Sequence, residues 1–288
     1  MKRALIWSVQ HTGTFFCSFL IASSAPRDRQ LHFGSLYQRH IDMGHKRYDI
    51  SAPFDFSDYA PVKDKITTEW FDQYITSLVS GPKPEQDADL SKVDLDKVDI
   101  LVAHDHHHKV GSRLIESVRQ DKPEVPFIVP MRDPLLALHS KMWREVEIYN
   151  NPDRDVKRIQ RATRCVDLYV DLLSVPEGHL FYLPMDTERT EEGRIKLAKK
   201  AHAFAGIEFN ARAEKWAKRW RAKNTTGKLV RNRGKEPDVR WEKLKEDYLA
   251  GDMEFIETEM KIELDYLREQ SELKELLQKV GYKELPWW

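Results

Sequence analysis

Residues 4–16 read ALIWSVQHTGTFF, and this stretch decides the fold. Ala4–Val9 is a short apolar run of strand formers, and an apolar helical pattern then continues through Ile21. The turn between them contains Gly13 and two threonines. Because the first N–H groups of a helix and the helix dipole attract anions, the stretch predicts a strand, an anion-binding turn and a helix.

A second stretch repeats this arrangement further along the chain. Residues 127–134 read FIVPMRDP, an apolar strand that ends in Arg132 and is followed by a helix carrying Ser140. An arginine at a strand end is suited to bidentate binding of a phosphate. The two stretches together suggest a nucleotide with phosphates at both ends.

The strand candidates alternate with helical patterns, which predicts an α/β fold with a central parallel sheet flanked by helices. The candidates are Ala4–Val9, Asp99–Ala103, Phe127–Met131 and His179–Leu183. In such a sheet, ligands bind at the carboxyl ends of the strands. His11, His104 and Arg132 lie at such ends, and they come together only if their strands are neighbours.

The remaining segments predict surface structure and helices. Residues 26–98 are irregular and rich in Asp, Pro and aromatic residues; they are either an insertion that recognises an acceptor or a decorated surface with a helix at 67–79. Helices are predicted over Asp153–Leu173, Glu191–Phe204, 211–223 and Arg240–Val280. The last carries one apolar face that packs either on the main domain or on a second copy, as a homodimer; the face consists of Ile256, Met260, Leu264 and Leu267.

Composition excludes several classes of protein. The formal net charge is zero, so no overall field favours nucleic acid. The two cysteines argue against a disulfide framework and favour a reducing, cytoplasmic location. The first 25 residues resemble a signal peptide, but residues 10–12 interrupt their apolar core. No stretch approaches the roughly 18 apolar residues that a membrane span needs.

The two stretches also distinguish between nucleotide-binding classes. A Walker A loop needs a second glycine and a lysine, and residues 10–16 have neither. The pattern instead resembles the PAPS-dependent sulfotransferases, whose first motif is a strand, Pro-Lys/Arg-Ser-Gly-Thr-Thr and a helix. Their second motif is a strand, Arg-Asp/Asn-Pro and a serine eight residues after the arginine, which Arg132 and Ser140 match.

A third likeness lies between residues 183 and 207. Residues 183–186 read LPMD and precede a charged helix that ends in FAGI at 204–207, similar to the family's strand-Glu-Asp-Leu segment and its helix ending in Phe-Leu-Gly-Leu. The order of the three motifs agrees over residues 1–207. The resemblance implies one P-loop-like sulfotransferase domain over 1–288, with an insertion at 26–98 and a helical extension at 236–288.

The resemblance implies a donor, 3′-phosphoadenosine 5′-phosphosulfate (PAPS), and its product adenosine 3′,5′-bisphosphate (PAP). The first motif would bind the 5′-phosphosulfate and the second the 3′-phosphate. A basic, glycine-containing loop at 227–235 would close over the 3′-phosphate, or is instead a flexible link. The implied donor-binding residues are His11, Thr12, Gly13, Thr14, Phe15, Arg132, Ser140, Arg231, Arg233 and Gly234.

This chain departs from the family's first motif at two positions. His11 replaces the basic residue that acts on the sulfuryl group, and it supplies that charge only when protonated. Phe15 replaces the second threonine of the motif.

A base must take the proton of the acceptor, which is a small molecule or a carbohydrate with a hydroxyl or an amine. His104 ends a predicted strand, as the catalytic histidine of many cytosolic sulfotransferases does, and His106 is the second candidate. Residues 104–108, which read HDHHH, also suggest a metal site, but without partner carboxylates or cysteines at fixed spacing we predict none. Two other functions stay open: a nucleotide kinase or NTPase with a degenerate loop, and a non-catalytic PAP-binding or interaction protein.

Overall fold

The computed structural model describes residues 1–9, 12–26, 29–34, 39–40, 99–105, 125–142, 153–188, 190–220, 248 and 250–288. Its strands are β1 (Lys2–Trp7), β2 (Gln30–Gly34), β3 (Arg39–His40), β4 (Ile100–Asp105), β5 (Phe127–Met131) and β6 (Phe181–Pro184). Its helices are α1 (Thr14–Ala22), α2 (Pro134–Met142), α3 (Arg154–Leu173), α4 (Glu191–Phe204), α5 (Ala211–Arg219), α6 (Glu254–Glu259), α7 (Lys261–Arg268) and α8 (Ser271–Val280).

The six strands form one sheet in the order β3-β2-β4-β1-β5-β6. β2, β4, β1 and β5 are parallel, and β1 pairs with β4 from Lys2↔Ile100 to Trp7↔Asp105. The predicted parallel sheet flanked by helices is therefore confirmed. β4 and β5 are the two neighbours of β1, so the strands that precede the three predicted site segments are adjacent.

Two strands of the sheet, β2 and β3, lie where the sequence indicated irregular structure. β2 pairs in parallel with β4, from Gln30↔Ile100 to Gly34↔His104, and β3 pairs with β2 antiparallel. The segment QLHFG is short, begins with a polar residue and ends in glycine, so neither its composition nor its length distinguishes it from a loop. The start of the 26–98 segment is thus part of the sheet; the helix predicted at 67–79 lies outside the described residues.

The neighbouring strands β1 and β5 are apolar because both of their faces are covered. In β1, residues 4–7 are fully buried, and every residue of β5 is buried. Parallel strands that are enclosed on both faces read as continuous apolar runs rather than as alternating ones. This explains why β1 and β5 were recognisable from sequence and β2 was not.

The chain divides into two compact units. Unit 1 contains Met1–Met131, Ser174–Leu183 and Thr190–Trp220, and unit 2 contains Arg132–Leu173, Pro184–Arg189 and Arg221–Trp288. In unit 1, α1 packs against α5 through an aromatic group, with Phe19 stacked on Trp216 at 5.6 Å between ring centroids. The single domain over 1–288 stays a prediction.

Unit 2 is organised around α3, which packs against α7 and α8. Arg158 on α3 and Glu263 on α7 form a buried, two-pronged ion pair with N–O distances of 2.7 and 2.6 Å. The predicted apolar face of residues 256–267 is buried within this unit, so it packs on its own chain. The homodimer stays a prediction.

The single helix predicted over Arg240–Val280 is wrong. Residues 254–280 form three helices, which break at Met260 and Gln270. Met260 has φ −120° and ψ 25°, and Gln270 has ψ 75°, so neither continues a helix. Gly251, with φ 85°, sets a turn before α6. The breaks let successive short helices pack against the same partner, which one straight helix of this length would not do.

Within the described ranges, no helix combines the length and the apolar character that a membrane crossing needs.

Candidate functional site

The turn between β1 and α1 is built by the backbone. Gly13 has φ 97° and ψ 19°, a left-handed conformation that glycine adopts without steric cost, and it is the N-cap of α1. The first helical hydrogen bond runs from the N–H of Cys17 to the carbonyl of Gly13, at 2.9 Å. Glycine has no side chain to cap the helix, and the N–H groups of the first helical turn have no intrahelical acceptor.

The two threonines of this turn have different environments. Thr12 is fully buried, and its hydroxyl donates to the carbonyl of Val9 at 2.8 Å. Thr14 is the first residue of α1 and is also buried. The hydroxyl of Thr12 therefore holds the turn together. The role of Thr12 in donor binding stays a prediction.

Side chains connect the carboxyl end of β1 to β5 within unit 1. The hydroxyl of Ser8 donates to the carbonyl of Pro130, near the carboxyl end of β5, at 2.5 Å. Trp7, the last residue of β1, stacks on Phe127, the first residue of β5, at 6.3 Å between ring centroids. From β1 the chain continues to β2 on one side of the sheet, and from β5 to β6 on the other. The gap between β1 and β5 is thus a topological switch point, where open α/β sheets bind ligands.

The two predicted bases are only partly described. His104 is the fifth residue of β4, and its backbone lies in register with Ile6 on one side and Gly34 on the other. Its strand is thus next to β1, as the assignment of a base requires. His106 and His11 lie outside the described residues.

Arg132, at the start of unit 2, is buried rather than exposed, with 8% of its surface accessible. Its carbonyl accepts a hydrogen bond from the hydroxyl of Tyr169 at 2.6 Å, and its N–H donates to the same oxygen at 3.4 Å. Its Nε lies 3.9 Å from a carboxylate oxygen of Asp186. Arg132 is therefore not part of a solvent-exposed surface ion pair.

Asp133 follows Arg132 and caps α2. Its Oδ1 accepts from the N–H of Leu135 at 2.9 Å and from the indole N–H of Trp287 at 3.0 Å, while its Oδ2 accepts from the hydroxyl of Tyr248. Burial, and then the negative charge of Asp186, raise the pKa of Asp133 to about 6, although the three hydrogen bonds act in the opposite direction. Asp133 and Pro134 match the usual N-cap and first position of a helix.

Asp186 lies just after β6 and is the second carboxylate of this region. It accepts from the hydroxyl of Tyr282 at 2.6 Å and from the N–H of Asp133 at 3.1 Å. Burial raises the pKa of Tyr282, as it does those of Tyr169 and Tyr248, well above the usual tyrosine value. We call the whole group the carboxylate cluster; its members are Arg132, Asp133, Tyr169, Asp186, Tyr248, Tyr282 and Trp287.

Sequence reasoning found only part of this cluster. It singled out Arg132 and noted Asp186 at a strand end, and the Asp-Pro pair at 133–134 carried a capping pattern that would have identified the helix start. The aromatic members come from segments up to 154 residues away and lie in no motif. No local pattern predicts that a tyrosine or a tryptophan will meet a distant carboxylate.

For the other predicted donor-binding residues, the structure gives at most the helix in which each one lies. Phe15 is the second residue of α1, and Ser140 lies in α2. Arg231, Arg233 and Gly234 lie outside the described residues. Cys17 and Cys165 are both buried thiols. In the part of the chain that the structure describes, no three His, Cys, Asp or Glu side chains are grouped to hold a metal ion.

No known protein family and no curated protein sequence matches this chain. The resemblance to sulfotransferases therefore stands on the three motifs alone.

Proposed function

We propose that this protein is a sulfotransferase that moves the sulfuryl group of PAPS to a hydroxyl or an amine of an acceptor. The observation that carries the proposal is the geometry of Gly13. A left-handed glycine without a side-chain cap begins α1 directly after the central strand, beside the switch point of the sheet. This is the arrangement in which helix N–H groups bind an anion.

The 5′-phosphosulfate is assigned to this turn. The N–H groups of residues 14–16 would stabilise the negative charge that develops on the phosphate as the S–O bond breaks. The structural role of the Thr12 hydroxyl suits this assignment, because a turn held by its own hydrogen bond is already in its binding conformation. His11 would add positive charge when protonated.

The 3′-phosphate is assigned to Arg132 and Ser140. Arg132 supports this assignment by its burial and by the contacts that hold its backbone and its guanidinium. A buried arginine that is ordered before the ligand arrives binds a phosphate at a smaller entropic cost than a surface arginine does.

The reaction needs one proton transfer and one displacement. The acceptor oxygen or nitrogen forms a bond to sulfur, the bond between sulfur and the bridging oxygen breaks, and PAP leaves with that bond's electron pair. The proton of the acceptor goes to a base, and His104 or His106 is the candidate. The position of His104 in the strand next to β1 is consistent with this role.

Thermal unfolding with PAP, with ATP and without ligand tests the proposal. PAP is expected to raise the melting temperature more than ATP does, because only PAP carries a 3′-phosphate. At 100 times its dissociation constant, a ligand adds about 2.7 kcal/mol to the free energy of unfolding. A shift with ATP and Mg²⁺ that exceeds the shift with PAP would favour a kinase or NTPase. No shift at millimolar PAP would contradict the proposal.

A further inference from the structure

Asp186 joins three separate segments of unit 2. One of its oxygens accepts from the hydroxyl of Tyr282, and the other accepts from the backbone N–H of Asp133. The latter oxygen also lies 3.9 Å from Nε of Arg132. Since both oxygens are held and the side chain is only 13% exposed, the carboxylate has one orientation.

This arrangement fixes Arg132 at both of its ends. Tyr169 holds the backbone of Arg132 through its N–H and carbonyl groups. Asp186 attracts the guanidinium by charge, because 3.9 Å is too long for a hydrogen bond but within the range of an ion pair. An unrestrained arginine loses much rotamer freedom when it binds an anion, and this loss weakens binding.

We propose that Asp186 is a positioning residue, which holds the guanidinium of Arg132 in the orientation that binds the 3′-phosphate, and that Tyr282 keeps Asp186 in place. This inference rests on the proposed function. It adds to that function a residue that touches no substrate and a tyrosine from a segment that carries none of the sulfotransferase-like motifs.

The opposite role for Asp186 has a distinct consequence. A carboxylate beside Arg132 also neutralises part of its charge and competes with a phosphate. If competition outweighed positioning, removing the charge of Asp186 would tighten the binding of PAP. The two roles therefore predict affinity changes of opposite sign.

The test compares PAP with AMP, which differ only in the 3′-phosphate, by calorimetric titration of the full chain. In Asp186→Asn, PAP is expected to bind roughly 3- to 10-fold more weakly, and AMP to change less than about twofold. Tyr282→Phe removes only a hydroxyl, and it should shift the ratio of the two affinities in the same direction by a smaller factor. It also serves as the test if Asp186→Asn does not fold.

Asp133→Asn is the matched control. It changes the other carboxyl of the cluster but leaves the backbone N–H that binds Asp186, so the ratio of PAP to AMP affinity should stay at the wild-type value. Equal weakening of both ligands in Asp186→Asn, no change in either, or tighter binding of PAP would each overturn the positioning role. Wild-type protein that does not prefer PAP to AMP would instead contradict the proposed function, and the inference with it.

Discussion

The turn after β1 and the carboxylate cluster after β5 are built in different ways. The turn depends on backbone conformation: a left-handed glycine, a helix start and one threonine that bonds three residues back. The cluster depends on side chains, with two buried carboxylates that accept from partners as far as 154 residues away. A site formed by backbone groups depends on adjacent residues. A site formed by side chains depends on residues that are far apart in the chain.

The first prediction concerns Arg132, the residue of the carboxylate cluster that is assigned to the ligand. Arg132→Ala removes the charged group assigned to the 3′-phosphate, and loss of a charge-assisted hydrogen bond costs about 1.5–3 kcal/mol. PAP should therefore bind roughly 10- to 100-fold more weakly, while AMP binding changes little. Calorimetric titration of both nucleotides measures this difference. Equal losses for the two would show that Arg132 serves only the structure of unit 2.

The second prediction concerns the turn. Gly13→Ala places a side chain at φ 97°, where a non-glycine residue costs about 1–2 kcal/mol. The melting temperature should fall, and PAP and AMP should weaken by similar factors because both carry a 5′-phosphate. The equal weakening of PAP and AMP distinguishes this variant from Arg132→Ala, which should weaken PAP selectively.

Thr12→Val is the control for the turn. Its hydroxyl donates to Val9, so its removal should lower the free energy of unfolding by about 0.5–1.5 kcal/mol. The affinity for PAP and for AMP should fall by one small, equal factor, because the turn loses the bond that holds it in its binding conformation. A loss of binding as large as that of Gly13→Ala would instead indicate that the hydroxyl binds the 5′-phosphate directly.

The third prediction uses pH to test the cluster. The pKa of Asp133 is raised to about 6, so its charged form is disfavoured in the folded state. Its contribution to stability is complete below the unfolded pKa of about 3.9 and is lost as the pH rises through 6. Between pH 7 and pH 5 the wild type should gain on the order of 1 kcal/mol in its free energy of unfolding from this group.

Chemical denaturation at the two pH values, on wild type and on Asp133→Asn, measures this gain. The variant lacks the titrating carboxyl, so the free energy of unfolding of the wild type should fall relative to that of the variant from pH 5 to pH 7. A difference that does not depend on pH would show that Asp133 stays charged throughout this range.

The difference between the two regions also explains how far the sequence predicted the structure. β1, β5 and α1 were recognisable because burial on both faces leaves continuous apolar runs, and β5 and α4 have the predicted bounds. β2 was missed because five mixed residues carry no periodicity. The breaks at Met260 and Gln270 were missed because neither residue is a glycine or a proline, the residues that usually mark a helix end in a sequence.

The same argument holds for the candidate site. The turn at Gly13 and the apolar strand β5 before Arg132 could be predicted, because each lies within a few residues of a recognisable motif. The partners of Asp133 and Asp186 could not, because a hydrogen bond between distant residues leaves no trace in the local pattern of either. The environment of Arg132 is thus the part of the site that only the structure describes.

The large sequence separation between the hydrogen-bonded residues of the carboxylate cluster has a consequence for the order in which the chain folds. The hydrogen bonds within the turn join residues 9 to 17, and such local contacts form early because little chain entropy is lost. The bond from Trp287 to Asp133 closes a loop of 154 residues, so it forms late. We therefore expect the hydrogen bonds within the turn to form before those that surround Arg132.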